Sequence, residues 1–426
     1  VESEQKYSRD TAMVAAVDPL EILRTLIAIP SVNPMGIDCS GPDYYEGKMT
    51  QWLQRFFQGL GVPVECHEVA PGRYNVIAKY ESDSSAPTIL LDSHQDTVPV
   101  SGMTIDPFHP TIRDGRIYGR GACDVKGGMA AMLSAFATLV RQKPSGSASV
   151  IMACTCDEEY TATGARHLAR QWTTEPKRSE LVSTPPDYCI VAEPTELNVM
   201  VAHRGVVRWK LRTIGRACHS SRPDEGRNAI YAMTSVVSAL QRYANDLAQQ
   251  VTPHPLCGPP TLSVGKISGG TSVNIVPDEC EIEIDRRTIP GECSADVLAY
   301  IECFLREQTT ADFEMLPPWI DADSLSDDDN QELANHLLAE VATVAGPREK
   351  QGAWYGTNAS CFSVRGHIPS VVFGPGSIAQ AHTVDEWLEI TQLYQATEVY
   401  YRMFCNPLPR VTSHTSSICP QETASR

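Results

Sequence analysis

"GSASVIMACTCDEEYTATGARHLARQW" (residues 146–172) runs from an unbroken apolar stretch through three adjacent acids into a segment with helical spacing. The apolar part has the length and composition of a fully buried strand, and "GARHLARQW" reads as the helix that follows it. Asp157, Glu158 and Glu159 therefore stand at the carboxyl end of a buried strand. Three carboxylates in that position carry a large desolvation cost unless something positive compensates them. An N-cap cluster favoured by the dipole of the next helix accounts for Asp157 but hardly for all three.

The same texture extends outward on both sides. "YNVIAKY" and "TILLDSH" read as strands joined through the turn "ESDSSAP", and "PDYCIVAEP" as another apolar strand ending in an acid. Asp18 followed by Pro19 predicts an N-cap and first helical position opening "PLEILRTLIAI". "GKMTQWLQRFFQGLG" places Met49, Trp52, Leu53, Phe56, Phe57 and Leu60 on one face and closes at Gly61. "DVKGGMAAMLSAFATLV" reads as a long helix of small residues. Strands alternating with helices predict an α/β domain with a largely parallel or mixed sheet, whose functional groups sit at strand carboxyl ends.

From about Gly205 the pattern changes. "GVVRWKLRTIG", a helix over "NAIYAMTSVVSALQRYA", strands "PTLSVGKISG" and "ECEIEIDRRTI", a helix over "SADVLAYIECFLRE" and the strand "ADFEMLP" follow in turn. That order is β-α-β-β-α-β, the split pattern of a ferredoxin-like unit. The reading is an α/β domain in two segments, 18–204 and 321–405, interrupted by a smaller α+β domain at 205–320. Residues 1–17 read as a loose lead and 406–426 as a polar, unpacked tail.

The 426 residues carry 52 acids against 35 bases, a formal charge of -17. That balance argues against nucleic-acid or anionic-membrane partners. No apolar stretch is long enough to span a bilayer and the first residues lack an apolar signal core, which reads as a cytoplasmic protein. The fourteen cysteines are scattered singly, several of them in apolar runs, and read as reduced, mostly buried thiols.

His94 and Asp96 form an H-x-D pair just past a strand; Asp124 lies in "GRGACDVKGG", Glu193 in "VAEPT" and His382 in "GPGSIAQAHTVDEW". Converging at one sheet edge with Glu158 and Glu159, they would offer two imidazoles and several carboxylates, a donor set suited to one or two Zn²⁺ or similar ions. Each of these residues alone is more often a solvated or hydrogen-bonded loop group. Their shared placement after apolar strands favours the metal, which would be what compensates the acids.

Seven motifs carry a resemblance to a known family: "SHQDTVP", "DGRIYGRGACDVKGG", "CDEEYTATGA", "VAEPT", "ACHSSRPDEGRNAI", "SVNIVPDECEIEIDRRTIPG" and "FGPGSIAQAHTVDEW". In their order and spacing the sequence resembles the M20 metallopeptidases and amidohydrolases, nearest the acetylornithine deacetylase and succinyl-diaminopimelate desuccinylase branch, over about residues 20–404. The resemblance implies a two-domain α/β fold: a zinc-hydrolase catalytic domain with an inserted ferredoxin-like α+β lid and dimerisation domain. It implies two Zn²⁺ per subunit, with Co²⁺ or Mn²⁺ as alternatives, bridged by Asp124. One is completed by His94 and Glu193, the other by Glu159 and His382.

Glu158 is then the free carboxylate that takes a proton from the attacking water, and Asp96 accepts from the His94 imidazole and fixes its tautomer. In the inserted domain the resemblance implies His219 as donor to the tetrahedral oxyanion, Arg287 as partner of a substrate carboxylate, and Asn274 assisting in a closed state. In family dimers His219 and Asn274 reach the neighbouring subunit's site. Read alone, Arg287 beside Asp285 is a surface salt bridge. Gly356 in "WYGTNAS" would leave backbone room for the substrate carboxylate, although glycines before Thr-Asn are commonly turn formers. Ser93 and Cys123 depart from the family pattern without removing a ligand.

The activity implied is hydrolysis of the amide bond of a small N-acyl amino acid, nearest acetylornithine deacetylase. Desuccinylase, aminoacylase and dipeptidase activities stay open. Two rivals differ in kind: a cysteine-nucleophile amidohydrolase built on Cys154 or Cys156, and a non-catalytic metal-binding relative.

Overall fold

The chain enters its first helix, Pro19–Ile27, with the Asp18 carboxylate accepting from the Leu20 amide, so the predicted cap and proline entry are both present. The next helix, Gly47–Leu60, stops at Gly61, whose φ of 72° is the left-handed conformation that favours glycine. A computed structural model describes residues 17–173 and 179–411. The expected lead lies almost wholly outside the described residues, as does most of the expected tail.

Two units emerge, described separately. The first comprises the described residues up to Met200, Asp329–Lys350, and those from Arg365 on. Its sheet runs Val64–Ala70, Arg73–Tyr80, Ser149–Thr155, Thr88–His94, Tyr188–Val191, Ser370–Val372. The last four strands are parallel neighbours, whereas Arg73–Tyr80 runs antiparallel to Ser149–Thr155 and Val64–Ala70 antiparallel to Arg73–Tyr80. In the parallel block all seven residues of Ser149–Thr155 and all four of Tyr188–Val191 are buried, as expected of strands covered on both faces.

The helix Lys126–Gln142, buried along most of its length, packs on the central strands and against Ile390–Cys405 and Pro19–Ile27. Its Lys-Gly-Gly start permits close approach. A Cβ on Gly128 would come within 2.8 Å of the Ala192 methyl, and one on Gly127 within 2.5 Å of the Ala122 carbonyl. A three-stranded sheet of Thr111–Arg113, Arg116–Tyr118 and Trp387–Glu389 was not anticipated. Its last strand lies inside the stretch "VDEWLEITQLYQATEVYYRMF", which turns helical only at Ile390.

The second unit comprises Val201–Asp328 and Gln351–Val364. Its strands are ordered Thr261–Gly269, Glu279–Thr288, Gly205–Ile214, Phe313–Met315, all antiparallel, with helices Ala229–Gln250 and Ser294–Gln308 in the connections. This is the ferredoxin-like arrangement, and its core gathers Trp209, Leu211, Met233, Leu240, Ile282 and Ile301. The inward residues of Glu279–Thr288 alternate with half-exposed ones, as a sheet covered on one face requires. Beyond Phe313–Met315 the chain adds Ile320–Ala322 to the same strand, where Ala322 stands opposite Val206.

Arg73 determines how the first unit holds its strand ends. Its guanidinium binds Glu46 through Nε at 3.1 Å and through Nη2, and donates from Nη1 to Asp157 Oδ1 at 2.5 Å. Glu46 is fully buried and Asp157 nearly so. Truncating Arg73 would leave two interior carboxylates unpaired, a change that generally costs about 3–5 kcal/mol. Arg73→Met is expected to lower unfolding stability by that order in urea titration, with Arg73→Lys losing less.

Candidate functional site

Parallel pairing sets His94 beside Thr155, so the residues after the two strands emerge side by side. Ala192 donates to the Asp92 carbonyl at 2.8 Å, which brings Glu193 alongside. Asp124 arrives on the loop before helix Lys126–Gln142, joined to Val125 by a cis peptide. His382 arrives on the turn after Ile378–Gln380. Ligand atoms of His94, Asp124 and Glu193 lie within 4.8 Å of one another, as do those of Asp124, Glu159 and His382. Asp124 belongs to both groups.

His94 Nε2 stands 3.2 Å from Asp124 Oδ1; His382 Nε2 is 3.2 Å from both Asp124 Oδ2 and Glu159 Oε2. His94 Nδ1 donates to the backbone carbonyl of Asp96 at 2.9 Å. A neutral His94 therefore turns the bare lone pair of Nε2 toward a carboxylate oxygen, an arrangement that is attractive only with a cation or a proton between them. The donor set, two imidazole nitrogens and three carboxylates around a shared aspartate, fits one or two divalent ions of the zinc type.

Asp96 stands beside the His94 imidazole, its backbone carbonyl nearer than its carboxylate. Its backbone carbonyl, not its side chain, takes the Nδ1 proton, and the carboxylate Oδ1 stands farther off at 3.5 Å. The carboxylate instead accepts from Asn33 Nδ2 at 2.8 Å and from the backbone amides of Glu158 and Glu159 at 3.2 and 3.1 Å. It thus fixes the turn that aims those two acids. Glu159 further accepts from the Val98 amide at 3.1 Å.

The three adjacent acids receive three different environments. Asp157, with φ 65°, points to Arg73, Asn33 Nδ2 and the hydroxyls of Thr161 and Thr163, so it serves the scaffold without bonding an amide of the following helix. Glu159 joins Asp124 and His382, and Glu158 belongs to neither ligand group. Burial pushes the Glu158 carboxyl up to about 8 and that of Glu159 to about 7, with neighbouring carboxylates adding to both shifts. Burial likewise raises Glu193 well above the usual range. Burial alone would raise Asp124, but hydrogen bonds to His382 and His94 outweigh it and hold Asp124 well below. At His94 the bond to Asp124 and the nearby carboxylates of Asp96 and Glu158 outweigh burial and hold it well above its ordinary value, and hydrogen bonds to Asp124 and Glu159 raise His382 to about 10.

Local pattern did not reveal Glu46, Arg73, Asn33 or Glu386. Fully buried Glu386 accepts from the amides of Gly121, Cys123 and Asp124 and from Arg120. Its one sequence signal is its place four residues after His382 in "HTVDE".

The remaining expected residues lie in the second unit. His219 sits on the short strand Cys218–His219, exposed, with Nδ1 2.7 Å from Ser221 Oγ. Ile275 faces His219 in the partner strand, Asn274 immediately precedes it, and the Asn274 side chain accepts from Ser272 Oγ at 2.6 Å. Arg287 is engaged by Asp285 at 2.8 Å, the pairing that its sequence neighbour suggested. Gly356 lies within Gln351–Val364; a Cβ there would meet only the Arg204 carbonyl, at 3.4 Å, so packing does not demand glycine. The cysteine-nucleophile alternative is disfavoured: Cys154 and Cys156 are buried, and burial pushes both thiols well up, away from the thiolate.

The family model for peptidase family M20/M25/M40 matches residues 90–406. Acetylornithine deacetylase of Aliivibrio salmonicida is 35% identical over 374 residues, covering 86% of this chain and 93% of the relative. That of Vibrio campbellii is 32% identical over 392 residues, covering 90% and 97%. Among solved structures, a tripeptidase from Staphylococcus aureus superposes with a TM-score of 0.71 at 22% identity, covering 92% of this chain and 98% of the other. A dinuclear metal-binding peptidase of the M20 family from Bacillus subtilis does so with 0.64 at 18% identity, covering 91% and 96%. At these identities the structural likeness carries the fold alone.

The electrostatics of the metal-free site predict a pH dependence. Raised folded-state values at Glu158, Glu159 and His382 contribute stability that is lost as pH rises toward about 8, 7 and 10 respectively. Depressed Asp124 contributes a constant amount above the ordinary carboxylate range. The chelated protein is expected to melt at progressively lower temperature from pH 6 to pH 9, and added Zn²⁺ to restore it most at the alkaline end. A flat melting profile would contradict the account.

Proposed function

The chain belongs to peptidase family M20, and from that premise we propose that it is a metal-dependent hydrolase of N-acyl amino acids, with acetylornithine-type substrates first. Family membership and the deacetylase relatives support an amidohydrolase. The observation that carries the finer reading is the division of labour between neighbours: Glu159 falls within a ligand group while Glu158, equally interior, stays outside both.

In this reading His94, Asp124 and Glu193 hold one ion and Asp124, Glu159 and His382 a second. Zn²⁺ is the first candidate, and Co²⁺ or Mn²⁺ the alternatives. When bound, such ions supply Lewis acidity and lower the proton affinity of a water. Glu158, as the ionised carboxylate, would take the water's proton, and its interior position then favours that protonated form until it delivers the proton to the leaving amine nitrogen. Asp96 keeps Glu158 aimed by binding its backbone amide, and keeps the His94 tautomer through its own carbonyl. By the family resemblance, His219 donates to the oxyanion, Asn274 assists, Arg287 exchanges Asp285 for a substrate carboxylate, and Gly356 lines that end.

No helix among the described residues is long and apolar enough to cross a membrane. We extend the reading to a cytoplasmic homodimer. The exposed edge strand Thr261–Gly269, with Ile267 and nearby Tyr231 open to solvent, supports the association. Sedimentation is expected to read a dimer, and a monomer at micromolar concentration would remove that part.

Metal-stripped protein refilled with Zn²⁺ or Co²⁺ is expected to hydrolyse one of N-acetyl-ornithine, N-succinyl-diaminopimelate, N-acetyl-methionine or a dipeptide. Silence on all four would shift weight to a non-catalytic metal-binding role. Two substitutions assign roles within the site. Glu158→Ala is expected to lower kcat by at least about 100-fold with metal content unchanged, and His219→Ala to depress kcat far more than KM. Loss of metal in Glu158→Ala would mean that the roles of the two glutamates are exchanged.

A further inference from the structure

Four donors converge on the Glu386 carboxylate. Oε1 accepts from the amides of Cys123 at 2.8 Å and Asp124 at 2.9 Å; Oε2 accepts from the Gly121 amide at 2.9 Å and from Arg120 Nη1 at 2.8 Å. The Glu386 carbonyl adds a fifth contact, accepting from the Gly119 amide at 3.1 Å. Both Glu386 and Arg120 are buried. Simple neutralisation of Arg120 would need one of these bonds. The other three side-chain bonds go to the backbone of the loop that delivers Asp124, and Glu386 itself lies four residues after His382.

The two ligand groups differ in what holds them. His94 and Glu193 stand at or just after buried strands, and all three members of their group are interior. His382 is on a loop with its side chain 55% exposed, and shares with Glu159 and Asp124 a group that no strand end positions on the His382 side. Glu386 supplies most of the bonds between the His382 loop and the Asp124 loop; Cys123 Sγ adds one to the Ser377 carbonyl at 3.3 Å, and Trp387–Glu389 pairs with Arg116–Tyr118 just beyond.

We infer that Glu386 is a positioning residue that fixes the Asp124 and His382 loops against each other and thereby governs occupancy of the Asp124, Glu159, His382 position, leaving the His94 position less affected. The inference rests on the two-ion reading above. It requires a carboxylate specifically. Glutamine would present an amide NH2 either to the Cys123 and Asp124 amides or to the Gly121 amide and Arg120, losing two bonds and opposing donors to donors. Alanine loses all four and leaves the buried Arg120 charge with only the Pro99 carbonyl.

The test titrates metal-free wild type, Glu386→Gln and Glu386→Ala with Zn²⁺ against a chromophoric chelator, and with Co²⁺ while its visible absorption is followed. Wild type is expected to take two equivalents. The variants should keep the first equivalent and bind the second about 10–100-fold more weakly, the usual effect of removing a residue that orients a ligand. The Co²⁺ absorption that grows with the second equivalent should be lost in parallel. Equal weakening of both equivalents, or none, overturns the inference; a wild type that takes one equivalent overturns the two-ion reading itself. Should Glu386→Ala fail to fold, Glu386→Gln, which retains one acceptor oxygen, decides.

Discussion

Interior carboxylate charge at the ends of the parallel strands is the constraint on which the rest of the site depends. Asp124, Asp157, Glu158, Glu159 and Glu193 lie within or beside one small region, joined by Glu46, Asp96 and Glu386 behind it. Leaving any of these ionised without a partner would cost several kcal/mol. The fold answers with distinct partners for each subset. A guanidinium serves Glu46 and Asp157, a second guanidinium and three amides serve Glu386, and an asparagine with two turn amides serves Asp96. Asp124 and Glu159 are left facing imidazoles, and Glu193 lies within 4.8 Å of Asp124 and His94, where an ion or the imidazoles' own protons would balance the charge.

Much of the architecture was legible because it is encoded locally. Asp18 with Pro19, Gly61 after an amphipathic run, and the all-apolar strand Ser149–Thr155 are each set by neighbours a few residues away. The ferredoxin-like unit was readable for the same reason, as element order alone prescribes its topology. The ligand candidates announced themselves by being acids and imidazoles where apolar strands end, although their number and order alone did not pair them.

The missing parts are non-local. Arg73 meets Asp157 across 84 residues and Glu386 meets Asp124 across 262. An arginine opening an ordinary strand, or a glutamate in a loop, has nothing in its own window to mark it as interior. Asp96 shows a subtler limit: the H-x-D spacing indicated a contact with His94, but which oxygen of the aspartate makes it depends on where the Glu158 and Glu159 amides come to lie. Trp387–Glu389 lies directly before the helix Ile390–Cys405 and has nothing in its own window to mark it as a strand. Its extended form comes from pairing with Arg116–Tyr118.

The pairing of Ile320–Ala322 with Arg208–Val206 has a consequence for how such a chain came to be assembled. Residues entering and leaving the ferredoxin-like module stand opposite each other on adjacent strands, about 4.8 Å apart in the hydrogen-bonding direction. To the host polypeptide, more than a hundred residues therefore present the same closure as a tight hairpin. The ferredoxin-like element thus closes on itself, while the unit that contains it draws in Gln351–Val364 as well. The sequence of that element can then diverge while the strands that lead to His94 and Glu193 stay as they are.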